Sequence, residues 1–542
     1  MATPPADMPA RDTAGPPASL PSGDAGLAAT APGQHRSAIS DASVITMSAY
    51  AAQTLTFFSG LIQKGLLGPV GTGYWALMQS FWQLSKFVSI GAFEGTGRQI
   101  PLHRGREDYA GAVELSDTGY SFSLVMMAAL GICLATFALA FGAGWAPEIR
   151  WGLVLLGATG PLRWLADAHY GLLHATRRFR PASTAVVLQA LVGLTIQTAL
   201  VALWGFYGMF AGTVAAALVS LAYYARLGLT SVRRPAFRFR VKPARLRELI
   251  AFGLPIMVFS QLWLLFMGID ILIIARFIDV ESLGYYALAI SVTSYVLHLP
   301  RSVGQALFPR MAELFGKTQD VTSLSRHVAD AQRLLAYILV PAFVGGAFFV
   351  TPVLIRHALP AFEPAIGVIH VMVAGSFVMA LCNLPIKAML TAGRRRPLLI
   401  LVALCLGVNA SANYVAVAVL ERGIEGAAVA TVASYVFAFL VTSGYGLTMM
   451  LGARRTIVHV GELLVVLAYV CSALWGIEGL LGSGAGPLLP DAFTATAKLA
   501  LFGIALAPWL IIAEVRLQGL SRIVAVARSA LGVLARRFSR AR

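Results

Sequence analysis

Residues 181–225 read PASTAVVLQALVGLTIQTALVALWGFYGMFAGTVAAALVSLAYYA, an unbroken run without one Asp, Glu, Lys or Arg. Roughly 20 apolar residues cross ~30 Å of hydrocarbon, so this run alone supplies two membrane crossings. A water-facing helix of that length would carry a polar stripe. Uncharged runs recur at 118–147, 334–355, 398–420 and 426–453. The 542-residue chain is 58% hydrophobic and 12% charged, with a mean hydropathy of +0.74. That composition excludes a soluble domain.

Apolar runs of helical length, broken by Gly, Pro and charge, predict spans at about 42–63, 74–97, 117–142, 150–174, 183–204 and 207–228. A second set follows at about 249–275, 283–309, 333–355, 364–391, 398–420 and 424–450. Two more, about 460–480 and 494–515, contain Glu462, Glu478, Lys498 and Glu514, which leave short uncharged centres but are tolerable if they reach the interface. The expected architecture is an all-α integral membrane protein of about 14 transmembrane helices. It divides into a disordered cytoplasmic tail (1–37), a six-helix bundle (38–228), a basic cytoplasmic linker (229–248), a second six-helix bundle (249–450), two extra transmembrane helices (451–516) and a basic amphipathic cytoplasmic tail (517–542). In that last tail Leu517, Leu520, Val524, Ala527, Leu531 and Leu534 recur at helical spacing among arginines, a pattern for an interfacial helix on anionic lipid. The first 37 residues are rich in Pro, Ala and Gly and lack the apolar segment of a cleaved signal.

The net charge of +17 is distributed, not clustered as in a nucleic-acid binder. Arg98, Arg104 and Arg106, then Arg177, Arg178 and Arg180, then the cluster from Arg226 to Arg247 fall in alternate loops. Arg394, Arg395 and Arg396, Arg454 and Arg455 and the C-terminal tail continue the series, whereas the intervening loops offer Lys64, Arg150, Arg276, Arg356 and Arg422. Positive residues stay on the cytoplasmic side, so both termini are expected there. Cys133, Cys382, Cys405 and Cys471 lie inside spans without metal or disulfide spacing and read as small core residues.

The chain also repeats itself. An offset of 211 places Gly73, Tyr74, Ala76 and Leu77 on Gly284, Tyr285, Ala287 and Leu288, and an offset near 217 places Leu173, Ala175, Arg177 and Arg178 on Leu390, Ala392, Arg394 and Arg395. Six spans per half is even, so the repeats are parallel and a substrate site is expected between two lobes near the midplane.

Catalytic motifs fail on context. Gly316, Lys317 and Thr318 resemble the end of a phosphate-binding loop, but Met311 stands where the first glycine belongs. The triplet Asn409, Ala410, Ser411 lies inside a span, out of reach of glycosylation. No HExxH pair occurs, and no cofactor is expected. Gly91 with Gly95 and Gly208 with Gly212 are spaced for close helix packing.

Ionisable residues deep in spans cost a few kcal/mol unless they pair or line a cavity. Lys86 lies twelve residues into the second span, ~18 Å deep at 1.5 Å per residue. Arg163 is similarly deep in the fourth, with Asp167 one turn on, so either an ion pair or a cavity charge fits. Arg98, Arg301 and Lys387 lie nearer the cytoplasmic ends, where snorkelling competes with cavity lining. Asp270 stands near the outer end of the seventh span, suited to pairing with Arg276 or to proton coupling. Together the cations Lys86, Arg98, Arg163, Arg301 and Lys387 suit an anionic headgroup.

The stretch Leu66-Leu67-Gly68-Pro69 with Gly73-Tyr74 and Ala76-Leu77 resembles the first-loop signature of bacterial polysaccharide-unit flippases in the multidrug, oligosaccharidyl-lipid and polysaccharide exporter superfamily. Asp270 with Leu283-Gly284-Tyr285-Tyr286-Ala287-Leu288, Leu307-Phe308-Pro309, Ala392-Gly393-Arg394 with Asn409 and Asn413, and Gly426-Ala427-Ala428 are similar to later parts of that family. The resemblance implies two six-helix bundles that alternate between inward-open and outward-open forms and carry undecaprenyl-pyrophosphate-linked oligosaccharide outward through a cationic cavity. It implies membrane lipids, a polysaccharide polymerase and glycosyltransferases as partners, and no nucleic acid. The arginine-bearing first helix of the peptidoglycan-precursor flippases is missing, since 42–63 contains no Arg. An ion-coupled drug antiporter of the same superfamily, a membrane glycan polymerase or ligase, and a scaffold for sugar enzymes are the alternatives.

Overall fold

The computed structural model describes residues 32–176, 178–227, 239–318, 320–482 and 486–517. The basic residues at 228–238, most of the N-terminal tail and the amphipathic segment beyond Leu517 lie outside these. Among the described residues all regular structure is helical. Nine helices there are long and apolar enough to cross a membrane by length and composition alone, and the chain is a multi-pass membrane protein.

Counting rods between sharp reversals gives the fourteen expected from the sequence. Helix α1 (Pro32–Ser85) reverses at Gly68, whose φ of 66° is left-handed, with Pro69 opening the next rod. Proline fits there because the first turn needs no N–H donor. The second rod breaks again: a 3-10 turn at Lys86–Ser89 leads through Ile90 (φ 48°) and Gly91 (φ 82°) into α2 (Ala92–Gly105). Then α3 (Tyr109–Phe141) starts under Asp108, whose carboxylate accepts from the Gly111 N–H at 2.8 Å, and α4 (Pro147–Ala175) starts on proline. The quoted apolar run becomes α5 (Phe179–Val192) and α6 (Thr198–Arg226), with the reversal at Gly205 (φ 54°).

The second half begins with α7 (Pro243–Phe266), inside the stretch expected to be linker, and continues past Gly268 as α8 (Ile269–Phe277). Next come α9 (Val280–Thr318), α10 (Val321–Leu334), α11 (Val340–Ala358), α12 (Ala365–Thr391), α13 (Arg395–Tyr414) and α14 (Gly423–Leu451). Helix α12 is the centre of this half, packed between α9 and α14 and buried along most of its length. By contrast Ile132, Phe141, Leu203 and Trp204 are exposed on the periphery, as lipid-facing side chains are. Cys382 and Cys405 are buried, but Cys133 is exposed on that periphery and is not a core residue.

The last two rods are α15 (Ala453–Leu481) and α16 (Leu488–Ala505) with α17 (Ala507–Leu517). Their charges pair inside the protein. Lys498 Nζ donates to Glu478 at 2.8 Å, and Glu462 accepts from Arg333 at 3.1 Å, from the Tyr337 hydroxyl and from Arg516 at 3.2 Å. Arg356 and His357 meet Asp491 at the other end. The hairpin is therefore pinned to the α10–α11 rod at both ends.

The two halves meet where α1 packs on α9 and α2 on α7. Gly91 and Gly95 serve this contact: a Cβ on Gly253 would lie 1.9 Å from the Gly91 carbonyl oxygen, and one on Gly95 would lie 2.5 Å from that of Leu249. Gly208 and Gly212 instead pack on Leu200 and Gln197 within one half. Lys64, expected in a loop, stands inside the first rod, which runs unbroken to Gly68.

Candidate functional site

Cavities lie against the junction of the halves. The most polar of these, about 570 Å³, is walled by the first two rods, α4, α5 and α6, with His298 of α9 reaching in from the other half. Five glutamines line it: Gln53, Gln63, Gln79, Gln189 and Gln197. Three of them spend their amide nitrogens on the protein: Gln63 Nε2 donates to the Gly193 carbonyl at 2.9 Å, Gln189 Nε2 to Ser220 at 3.0 Å and Gln197 Nε2 to the Met209 carbonyl at 3.2 Å. Their amide oxygens are left as acceptors for a hydroxyl-bearing guest.

Arg163 and Asp167, one turn apart on α4, both line this cavity. They form no salt bridge. Arg163 instead lies over the Trp82 ring, 4.4 Å from its centroid, and donates to Gln79 Oε1 at 3.4 Å. The guanidinium is thus held against an aromatic face while it lines the cavity.

A second cavity of about 270 Å³ contains Arg301, with Ser80 and Gln83 of the second rod, Ser294 of α9 and Tyr435 of α14. Lys387, partly buried on α12, brings its ammonium over Gly304, one turn beyond Arg301, where a Cβ would lie 3.1 Å from it. Lys86 is exposed at the start of the 3-10 break and its ammonium makes no hydrogen bond or ion pair among the described residues, while Glu94 just beyond accepts from Ser89 at 3.5 Å. Arg98 is exposed on α2 and lines neither cavity. The seven residues singled out from the sequence therefore do not converge on one site: Arg163 and Asp167 share one cavity with Lys86 close enough for its charge to act on Asp167, Lys387 stands over Gly304 one turn from Arg301, and Arg98 stands apart.

Asp270 belongs to a separate buried network. Its Oδ2 accepts from the Tyr286 hydroxyl at 2.6 Å and from Thr431 at 3.3 Å, and its Oδ1 accepts from the Ile271 N–H at 3.0 Å. Asn413 donates to Thr431 and to Asn409, and Asn409 donates to the Phe266 carbonyl at 2.7 Å, where α7 stops. Pairing with Arg276 is not formed; that guanidinium lies over Phe277. A carboxylate, two amides and two hydroxyls are hard oxygen donors that suit a proton or a hard cation. No group of three or more His, Cys, Asp or Glu residues is placed to hold a metal among the described residues.

Sequence reasoning missed the glutamines, His298, Tyr286, Thr431 and Lys64. Uncharged amides inside apolar runs were the readable signal, since polar groups in hydrocarbon need partners or a wet cavity.

Residues 116–359 match the family model described as polysaccharide biosynthesis protein. Among solved structures, the inward-facing conformation of a multidrug resistance MATE family transporter of the MOP superfamily is similar at 16% identity and TM-score 0.60, covering 76% of this chain and 96% of that one. The lipid II flippase MurJ, in an inward closed conformation, is similar at 15% identity and TM-score 0.60, covering 86% and 99%. The Vibrio cholerae MATE transporter VcmN in its bent form follows at 13% and TM-score 0.51, covering 78% and 99%. No curated protein sequence matches the chain. The fold is the one these solved transporters share, and the family match over residues 116–359 agrees with the resemblance read from the sequence.

Proposed function

We propose that this chain, with its transporter fold, moves an undecaprenyl-pyrophosphate-linked oligosaccharide from the inner to the outer leaflet of a bacterial inner membrane by alternating access. The observation that carries the reading is the polar cavity at the lobe junction, where five glutamines and Arg163 stand inside a membrane-embedded bundle. A sugar headgroup cannot cross ~30 Å of hydrocarbon without losing its hydrogen bonds to water. Acceptor oxygens and a cation in the cavity replace those bonds, while a prenyl chain stays in lipid. Lys86, Arg98, Arg301 and Lys387 are proposed to guide the anionic headgroup towards that cavity, and Asp270 with its network to couple movement to an ion gradient. A polysaccharide polymerase and glycosyltransferases would consume and supply the cargo. Vesicles reconstituted with the protein and a labelled lipid-linked oligosaccharide test this directly. Protein-dependent exposure of the headgroup in the opposite leaflet is expected; accumulation of small cationic drugs without it would replace the reading with the antiporter alternative.

A further inference from the structure

The first rod is a wall with two faces. Phe57 and Leu61 turn into an apolar cavity of about 500 Å³ shared with α9 and α11, whose lining is aliphatic and aromatic apart from Tyr295 and Thr351. Thr56, Ser59, Gly60 and Gln63 turn into the polar cavity. On a helix turning about 100° per residue, Lys64 falls between these two faces. Its position agrees with that geometry. The Lys64 Nζ and the Tyr295 hydroxyl each lie 3.8 Å from where a Cβ on Gly60 would stand, so both groups reach the space over a residue with no side chain of its own, without hydrogen-bonding each other. The Lys64 ammonium is partly buried and makes no hydrogen bond or ion pair among the described residues. A partly desolvated cation without a counter-ion is costly in a membrane-embedded rod, so the position suits an anionic group.

From this juxtaposition we infer that Lys64, assisted by Tyr295, receives the phosphate of a polyprenyl-linked sugar, with the aliphatic chain in the apolar cavity and the sugar in the polar one. The inference rests on the transport reading above and adds a binding site to it. An amphiphile with its anion between an aliphatic chain and a polyol matches the order of surfaces across the first rod: apolar cavity, cation with phenol, amide-lined cavity. Gly346 lines the apolar cavity with open space around it, so a larger side chain there fills the space without meeting backbone.

The test is ligand binding to the full-length protein in nanodiscs, titrated with undecaprenyl pyrophosphate and, separately, with undecaprenol. A charge-assisted phosphate contact is worth roughly tenfold to a hundredfold in affinity. Lys64→Met is expected to lose that much for the pyrophosphate and nothing for the alcohol, Lys64→Arg to stay within about threefold of wild type for both, and Tyr295→Phe to lose less than Lys64→Met. Gly346→Leu is expected to weaken both ligands. If Lys64→Met binds the pyrophosphate as wild type does, or Gly346→Leu binds both ligands normally, the assignment is overturned while transport of lipid-linked oligosaccharide by wild-type vesicles still upholds the broader function. If wild-type vesicles move no lipid-linked oligosaccharide, the transport reading falls and the assignment falls with it.

Discussion

Gly73 and Gly284, matched positions 211 residues apart in the two repeats, face each other across the junction of the halves: a Cβ on Gly73 would lie 2.0 Å from the Val280 carbonyl oxygen and 3.1 Å from the Gly284 nitrogen, and one on Gly284 would lie 1.9 Å from the Pro69 carbonyl oxygen. Backbone rests on backbone there. Gly91 and Gly95 make the corresponding close approach to Gly253 and Leu249 nearer the basic loops. Contacts made by bare backbone separate without unthreading interdigitated side chains, which suits surfaces that open and close.

Gly73→Val and Gly284→Val should each hold the halves apart at this end. Transport is expected to fall at least tenfold, roughly the cost of overpacking by 1–3 kcal/mol. A cysteine replacing the buried Thr72 should become reactive to a thiol reagent in the valine background. Normal transport with a protected cysteine would show that this contact is not a gate.

Arg163→Met should lower transport of the anionic cargo by about tenfold or more, because a cavity cation is lost while Trp82 keeps its packing neighbours. Lys86→Ala should also lower transport without preventing membrane insertion. Membrane abundance measured beside flux separates the two effects. Full activity of both variants at normal abundance would remove these cations from the transport path.

Asp270→Leu removes the acceptor of the Tyr286 hydroxyl, the Thr431 hydroxyl and the Ile271 N–H in a buried site, and of these Tyr286 and Thr431 keep another partner, in each other and in Asn413, while the N–H does not. One unsatisfied buried group costs about 1–3 kcal/mol, so the variant should melt at lower temperature in detergent, with Asp270→Asn intermediate. An unchanged melting curve for Asp270→Leu would mean that the network does not hold α8 to α9 and α14.

Asp108 caps α3 outside the spans. The Gly111 N–H first, and then His103, hold its carboxyl below the usual carboxylate range. A depressed folded-state value means that its contribution is present above the unfolded value of about 3.9 and is lost as pH falls through the lower folded value. The melting-temperature difference between wild type and Asp108→Ala should therefore be constant near neutral pH and shrink in strong acid. A difference independent of pH would assign the effect to helix propensity instead of the cap.

Both termini should lie in the cytoplasm, because fourteen rods return the chain to its starting side and the basic loops share that side. Reporter fusions at each end measure this. A periplasm-active reporter working at the C-terminus would leave an odd number of crossings.

Much of the architecture was legible because a bilayer imposes a local rule: each crossing must be a contiguous apolar helix with its backbone satisfied internally. Hence the reversals at Gly68 and Gly205 fall where the runs predicted, and the match of Gly73 with Gly284 revealed the repeat. The charges of the last two rods were harder, since Glu462 and Lys498 read as weaknesses until Arg333, Tyr337 and Glu478 were found beside them from distant or neighbouring rods.

The sequence by itself determined that the chain crosses a membrane many times, that short motifs recur between its halves, and that ionisable residues fall inside its apolar runs. Only the tertiary structure decided which groups those residues meet. Arg163 lies over Trp82 and donates to Gln79, Asp270 accepts from Tyr286 and Thr431, and Lys64 shares the space over Gly60 with Tyr295. The physical reason is that hydrophobicity fixes how deep a residue sits along its own helix, a local property, whereas the groove it faces depends on how two halves hundreds of residues apart pack together, which no single span encodes.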